Sequence, residues 1–134
     1  MATTSEYSVG NVRSRVSYNV TTSDTTVTVT ATLQYYVTIQ GTYWVPSSSD
    51  TLTMKVNGSS VGSKSTNWRN TSPVFPSDVS SMWYGSSTVT KTYTRDHSAH
   101  TYTLSFGVSF DGHSTTLSAS SFSVPARASY SVTY

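Results

Sequence analysis

Three histidines, one glutamate and five aspartates are all that this 134-residue chain offers for acid–base or metal chemistry. Catalysis needs a nucleophile with its base, a pair of carboxylates or a metal cage, and the placement of these residues suits none of them. Asp24, Asp50, Asp96 and Asp111 each fall in a stretch that reads as a turn, where a short carboxylate accepts hydrogen bonds from nearby amides; Asp78 falls where it can cap a helical turn. His97 and His100 flank one turn and His113 lies in the next hairpin, so a metal site would require two hairpin tips to meet and a further ligand to join them. Cysteine is absent, which excludes thiolate chemistry, a disulfide framework and Cys-based zinc sites together. Serine is abundant, but there is no Gly-x-Ser-x-Gly elbow and no glycine-rich phosphate loop. The expectation is a non-enzymatic protein with no catalytic residue, no metal and no cofactor.

The aromatic residues that fall outside any strand pattern are more suggestive. Tyr43, Trp44, Trp68, Trp83 and Tyr84 read as lying in or beside loops, and flat rings exposed at one end of a domain are a way to hold sugars. Trp44, Trp68, Trp83 and Tyr84 are therefore the candidate glycan-binding residues. Set against this, large rings more often plug the open end of a fold. Arg13 and Arg15 share one face of a strand and are placed to clamp an acidic group, although such pairs are commonly just solvated. The three Asn-x-Ser/Thr sequons, at Asn19, Asn57 and Asn70, are close to what a chain so rich in Ser and Thr produces by chance.

The elements that must position these residues are strands. In Thr25 to Ile39, TTVTVTATLQYYVTI, Val27, Val29, Ala31, Leu33, Tyr35, Val37 and Ile39 point to one face. Threonines and Gln34 point to the other. Threonine suits the wet face because its branched Cβ favours extended backbone while its hydroxyl keeps the surface soluble without charge. Val12, Val16, Tyr18 and Val20 alternate with Arg13, Arg15, Ser17 and Asn19 in the preceding strand, and TTSD (Thr21 to Asp24) makes the turn between the two. SSSD (Ser47 to Asp50) breaks the sheet. Leu52, Met54 and Val56 then lead into Asn57-Gly58, a strong hairpin signal because both residues tolerate positive φ. Trp68 to Gly85 reads as a long loop with at most one short helical turn near Ser77. Strand pattern resumes over Ser87 to Arg95, turns at Asp96 and returns over His100 to Phe110; after a hairpin at Asp111-Gly112 a last strand runs from Ser121 to Tyr134, where Pro125 suits an edge or a bulge.

Seven to eight strands separated by turn signals predict one domain over residues 1–134, an immunoglobulin-like antiparallel β-sandwich, with a β-barrel as the alternative. At this length folding buries roughly two-thirds of the surface of the unfolded chain, enough for a full core without staples. Charged residues make up only 10% of the chain and the net charge of +2 forms no basic stripe, so nucleic acid is not the expected partner. No apolar run reaches the roughly 18 residues of a membrane span, and the opening MATTSEYSVG lacks the regions of a signal peptide. Neither membrane insertion nor export by that route is expected.

The segment KTYTRDHSAHTYTLSFGVSFDGHSTTLSASSFSVPARASY, Lys91 to Tyr130, resembles a recurring Ig-like module of siphophage minor structural and tail proteins. The likeness lies in the strand that ends in an acidic turn (Thr92 to Asp96), the strand of alternating Ser and aromatic residues (Thr101 to Phe110), the Ser-Phe-x-x-Pro strand (Ser121 to Pro125) and the Arg-Ala-Ser tail (Arg127 to Ser129). The opening from Gly10 to Arg13 and the threonine-rich strand are also similar. His-Ser-Ala-His stands where the family usually has an Asp-Gly-type turn. The resemblance implies a virion component of the tail tip, fibre or particle surface, made in the bacterial cytoplasm, with other virion proteins or further copies of itself as partners. A carbohydrate-binding module for bacterial surface glycans is the competing expectation. Aromatic placement separates the two: exposed rings clustered at one end favour glycan binding, and packed rings with flat Ser/Thr faces favour assembly.

Overall fold

A computed structural model describes residues 2–36, 46, 48–67 and 83–127. Among these the chain forms eleven strands, all paired antiparallel, and no helix. β1 (Ala2–Thr3) and β2 (Tyr7–Val9) lie one after the other along β3 (Val12–Thr22), which pairs with β4 (Thr26–Tyr36), which in turn pairs with β7 (Trp83–Thr94). The second sheet has the order β10 (His113–Ser118), β9 (Leu104–Phe110), β5 (Ser49–Val56), β6 (Ser59–Asn67). β8 (His100–Tyr102) and β11 (Phe122–Val124) form a short ribbon. Neither large sheet closes on itself, so the fold is a sandwich and not a barrel. One sheet holds the first, second and fifth long strands, and the other holds the third, fourth, sixth and seventh. This is an immunoglobulin-type division of the chain.

The predicted alternation positions the core. In β4, Val27, Val29, Ala31, Leu33 and Tyr35 are buried while the residues between them are half-exposed. Val29, Ala31, Leu33 and Tyr35 meet Leu52, Met54 and Val56 of β5 and Leu104, Phe106, Val108 and Phe110 of β9 across the sandwich. Phe110 receives the edges of Tyr7 and Tyr35 at ring-centroid distances of 5.7 Å each, a favoured aromatic geometry. Both predicted tight turns form as type I′ hairpins: Asn57 and Gly58 have φ of 52° and 84°, and Asp111 and Gly112 have φ of 52° and 78°.

The structure departs from the sequence reading in four places. Asp50, expected in a turn, lies in β5 and is fully buried. Trp83 and Tyr84, expected in a loop, are the first residues of β7, paired with Tyr36 and Tyr35. The strand expected to run unbroken from His100 to Phe110 is interrupted at Thr103, whose amide turns aside to donate to Asn57 Oδ1. In the β3–β4 turn Ser23, and not Asp24, supplies the side-chain acceptor, taking the amide of Thr26 at 3.0 Å. Trp44, Trp68, the expected helical turn near Ser77, and the chain beyond Arg127 lie outside the described residues.

Candidate functional site

Two side-chain constellations lie at one end of the sandwich. The first lies on the outer face of the first sheet, where β3 begins, β4 ends and β7 begins. Arg13 and Arg15 alternate outward from β3, as expected. The antiparallel register sets Arg15 opposite Gln34 and Tyr36 opposite Trp83. The guanidinium of Arg13 stands over the Tyr36 ring at 4.2 Å and that of Arg15 over the Trp83 ring at 4.1 Å, both within the range of cation–π attraction. Tyr36 and Trp83 meet edge to face at 5.3 Å.

Arg13 also donates from Nε to Glu6 Oε1 at 2.8 Å, and Arg15 donates from Nε to Gln34 Oε1 at 2.9 Å. The Arg13–Glu6 pair is half-exposed, so its contribution is small. Partial burial lowers the Arg15 guanidinium from its ordinary value, while the Glu6 carboxylate acts in the opposite sense; arginine stays charged at neutral pH regardless. The acidic clamp suggested by the two arginines is thus partly answered within the chain, by Glu6.

Of the four candidate glycan-binding residues, Trp83 and Tyr84 fall among the described residues, and both are half-buried. Arg15 takes a position over Trp83 that a sugar ring would need in order to stack there. Tyr84 alternates to the opposite face of β7 and packs against the core. The two rings therefore do not form a common platform.

The second constellation is buried and connects the sheets. Asp50 Oδ2 accepts from Tyr35 Oη at 2.7 Å and from Ser86 Oγ at 2.9 Å. Asp50 Oδ1 accepts from Ser87 Oγ at 2.7 Å and from the Thr66 amide at 3.1 Å. Four donors from β4, β6 and β7 thus converge on a carboxylate with zero exposure, which meets the requirement that a buried charged group be hydrogen-bonded. Burial, followed by the charge of Asp50 and the hydrogen bond to it, pushes the Tyr35 phenol far above its ordinary value. The cluster fastens β5 to β4, β6 and β7.

Two further acids have partners within the fold, while Asp78 lies outside the described residues. Asp111 Oδ1 accepts from the amide and hydroxyl of Ser48, both at 3.2 Å. Asp96 accepts from the Ser98 amide at 2.9 Å and contacts His100 Nε2 at the same distance. These bonds, the amide first and then His100, lower its carboxyl below the ordinary aspartate value. Among the described residues no three His, Cys, Asp or Glu side chains come together as a metal site, and no helix is long and apolar enough to cross a membrane.

No protein-family model, curated protein or solved structure matches the chain. A functional reading therefore rests on geometry and on the sequence resemblance.

The feature that sequence reasoning did not foresee is how the outer hydroxyls are used. They pair across neighbouring strands: Thr28 with Thr92 and Thr32 with Thr88 on the first sheet, Thr51 with Ser65 and Thr53 with Ser63 on the second, and Thr101 with Ser123 on the ribbon, at 2.9–3.3 Å. The signal was present in the alternation, but the pairing depends on register, which the sequence does not print.

Proposed function

We propose that the protein is a non-enzymatic structural component of a bacteriophage particle, an Ig-like building block or attachment module of the tail, fibre or particle surface that packs against other virion proteins or further copies of itself. The observation that carries this reading is the cross-strand hydroxyl pairing on the outer faces of an otherwise ordinary sandwich. Away from Arg13, Arg15 and Lys55 those faces carry hydroxyls in place of charges, so a neighbour can lie against them with few ions to pair. The resemblance of Lys91 to Tyr130 to siphophage tail modules supplies the phage context. Glu6, Asp50, Asp96 and Asp111 each have a partner within the fold, which supports a structural use for these acids.

Glycan recognition through Trp44, Trp68, Trp83 and Tyr84 has less support, because Arg15 lies on Trp83 and Tyr84 is turned into the core. The experiment is mass spectrometry of density-purified particles of the phage that carries the gene. Recovery of the chain in fixed stoichiometry to the major tail protein is expected, and its confinement to the soluble fraction of the lysate overturns the reading. Pull-down on host cell walls with Trp44→Ala and Trp68→Ala variants tests the alternative; on the structural reading, neither variant changes retention.

A further inference from the structure

The outer face of the second sheet carries a trough where the hydroxyl pairing fails. β9 is one of the two inner strands there, flanked by β5 and β10. At its centre stands Gly107, directly opposite Thr53 on one side and Thr116 on the other. A glycine has no side chain to answer either threonine, so the middle of the face is a dimple. Together with Ser109 on β9 and Ser114 on β10 it encloses about 300 Å³, a volume at the lower end of ligand sites. Two strand spacings, roughly 10 Å, separate its walls, and it runs along β9.

Two properties of this trough bear on what it can hold. The first is unspent hydrogen-bonding capacity. Several outer hydroxyls pair with each other elsewhere, and Thr53 itself is held from behind by Ser63. Ser109, Ser114 and Thr116 line the trough and make no side-chain hydrogen bond among the described residues. Each hydroxyl offers one donor and two acceptor positions. The second is a single cation. Lys55 leans across the dimple, its Cε 4.0 Å from the place a Cβ on Gly107 would occupy, and no carboxylate of the described residues lies within ion-pair distance of it. The floor and rim expose neither an aromatic ring nor a large aliphatic side chain. A protein partner would find no apolar anchor of the kind that interface cores require.

We infer that this trough binds an extended, hydroxyl-rich chain bearing an anionic group: the sugar or polyol hydroxyls exchange hydrogen bonds with Ser109, Ser114 and Thr116, and the anion meets Lys55. The site is separate from Trp83 and Tyr84, which lie on the other sheet, and it does not depend on the virion assignment. A carboxylated glycan and a polyol phosphate share this chemistry.

The test is amide chemical-shift mapping on the full chain by NMR with three probes at millimolar concentration: oligogalacturonate, its neutral methyl ester, and a glycerol phosphate oligomer. For at least one charged probe, shifts are expected to centre on Thr53, Gly107, Ser109 and Thr116, with clearly weaker binding of the neutral ester. Lys55→Gln should weaken the charged probe about tenfold, the loss expected for one charge-assisted hydrogen bond. Gly107→Thr fills the dimple and should abolish binding. A Cβ there makes only ordinary contacts, the nearest at 3.5 Å, and threonine suits a strand, so a dispersed spectrum should be retained. Thr116→Val, which keeps the shape and removes a hydroxyl, gives an intermediate loss.

If glycerol phosphate binds tighter than oligogalacturonate with the same Lys55 dependence, the site stands and its natural ligand is a polyol phosphate; the reverse order assigns it to acidic glycans. Shifts absent from the trough with both charged probes, equal binding of the neutral ester, or binding unaffected by Gly107→Thr overturns the proposal.

Discussion

Replacing Asp50 by alanine is the most demanding test of how the sandwich is fastened. The substitution removes a carboxylate that receives four hydrogen bonds, and the effect depends on which donors find another partner. Ser86 retains the Leu33 carbonyl at 3.3 Å, and Ser87 retains the Thr66 hydroxyl at 2.8 Å. The Thr66 amide loses its acceptor in this cluster, and the Tyr35 hydroxyl, on a residue with zero exposure, loses its 2.7 Å bond to Oδ2 but keeps Ser86 beside it. Stranding a buried donor costs about 1–3 kcal/mol, so the Thr66 amide gives about 2 kcal/mol, and the lost Tyr35–Asp50 bond and the small cavity left by the carboxylate add to that. Against a typical domain stability of about 5–15 kcal/mol, Asp50→Ala should leave a marginally folded protein. Asp50→Asn keeps one acceptor oxygen for Ser87 and Thr66 and turns a donor toward Tyr35 and Ser86, whose hydroxyls can rotate to accept; about 1–2 kcal/mol is expected. Urea unfolding followed by tryptophan fluorescence measures both, provided the m-value is unchanged. An Asp50→Ala loss below about 1 kcal/mol would refute the argument, because it would mean that water or rearrangement satisfies Tyr35 and Thr66 at little cost.

Two further outcomes follow from close contacts and titration. A Cβ at Gly62 would stand 2.8 Å from Val89 Cγ1, so Gly62→Ala should destabilise by about 1–3 kcal/mol through overpacking between β6 and β7; a double-mutant cycle with Val89→Ala should recover part of the loss, and additivity would show that the two do not touch. Tyr35, whose phenol is pushed upward in the folded state, stays neutral while its unfolded counterpart ionises near pH 10. Its contribution is therefore complete below about pH 10 and is lost as pH rises beyond that. Absorbance at the tyrosinate band should show that Tyr35 ionises only together with alkaline unfolding, and a Tyr35→Phe variant should have a flatter stability profile above about pH 10; a full tyrosinate titration of the folded wild type would contradict this.

The fold was legible wherever side-chain burial follows a period of two. β4 and β9 announce themselves because a buried residue recurs at every second position, and the two turns because Asn-Gly and Asp-Gly tolerate φ near +50° to +80°. β6, Ser-Ser-Val-Gly-Ser-Lys-Ser-Thr-Asn, has only Val61 to mark a face and is a strand because β5 supplies its ladder. Asp50 was misread for a related reason. Ser-Ser-Ser-Asp has the composition of a turn, and the donors that hold the carboxylate in the core are Tyr35, Thr66, Ser86 and Ser87, none nearer than fifteen residues along the chain. Local preference cannot register such partners. The arginine–aromatic stack was half legible: Arg13 and Arg15 share a face by alternation, but only the β3–β4–β7 pairing brings Trp83 beneath Arg15.

The hydroxyl pairing and the trough have a common origin in how this chain keeps its outer faces wet without charge. Cross-strand pairs are a main source of sheet stability, at about 0.2–1 kcal/mol each, and like charges opposite one another work against it. Threonine facing threonine or serine gains this contribution with no penalty of sign, so a face built that way can tolerate a neighbour of either charge. The cost is that recognition has little to act on, since paired hydroxyls are already spent. A glycine at the centre of such a face reverses the balance locally: it removes one pairing partner from each adjacent strand, frees the hydroxyls at the rim, and makes room for Lys55 to lean inward. Gly107 is needed neither for a turn nor for a positive φ, and a β-branched residue would stabilise the strand better. On an inner strand of the sheet, the space it leaves is the feature on which the proposed binding rests.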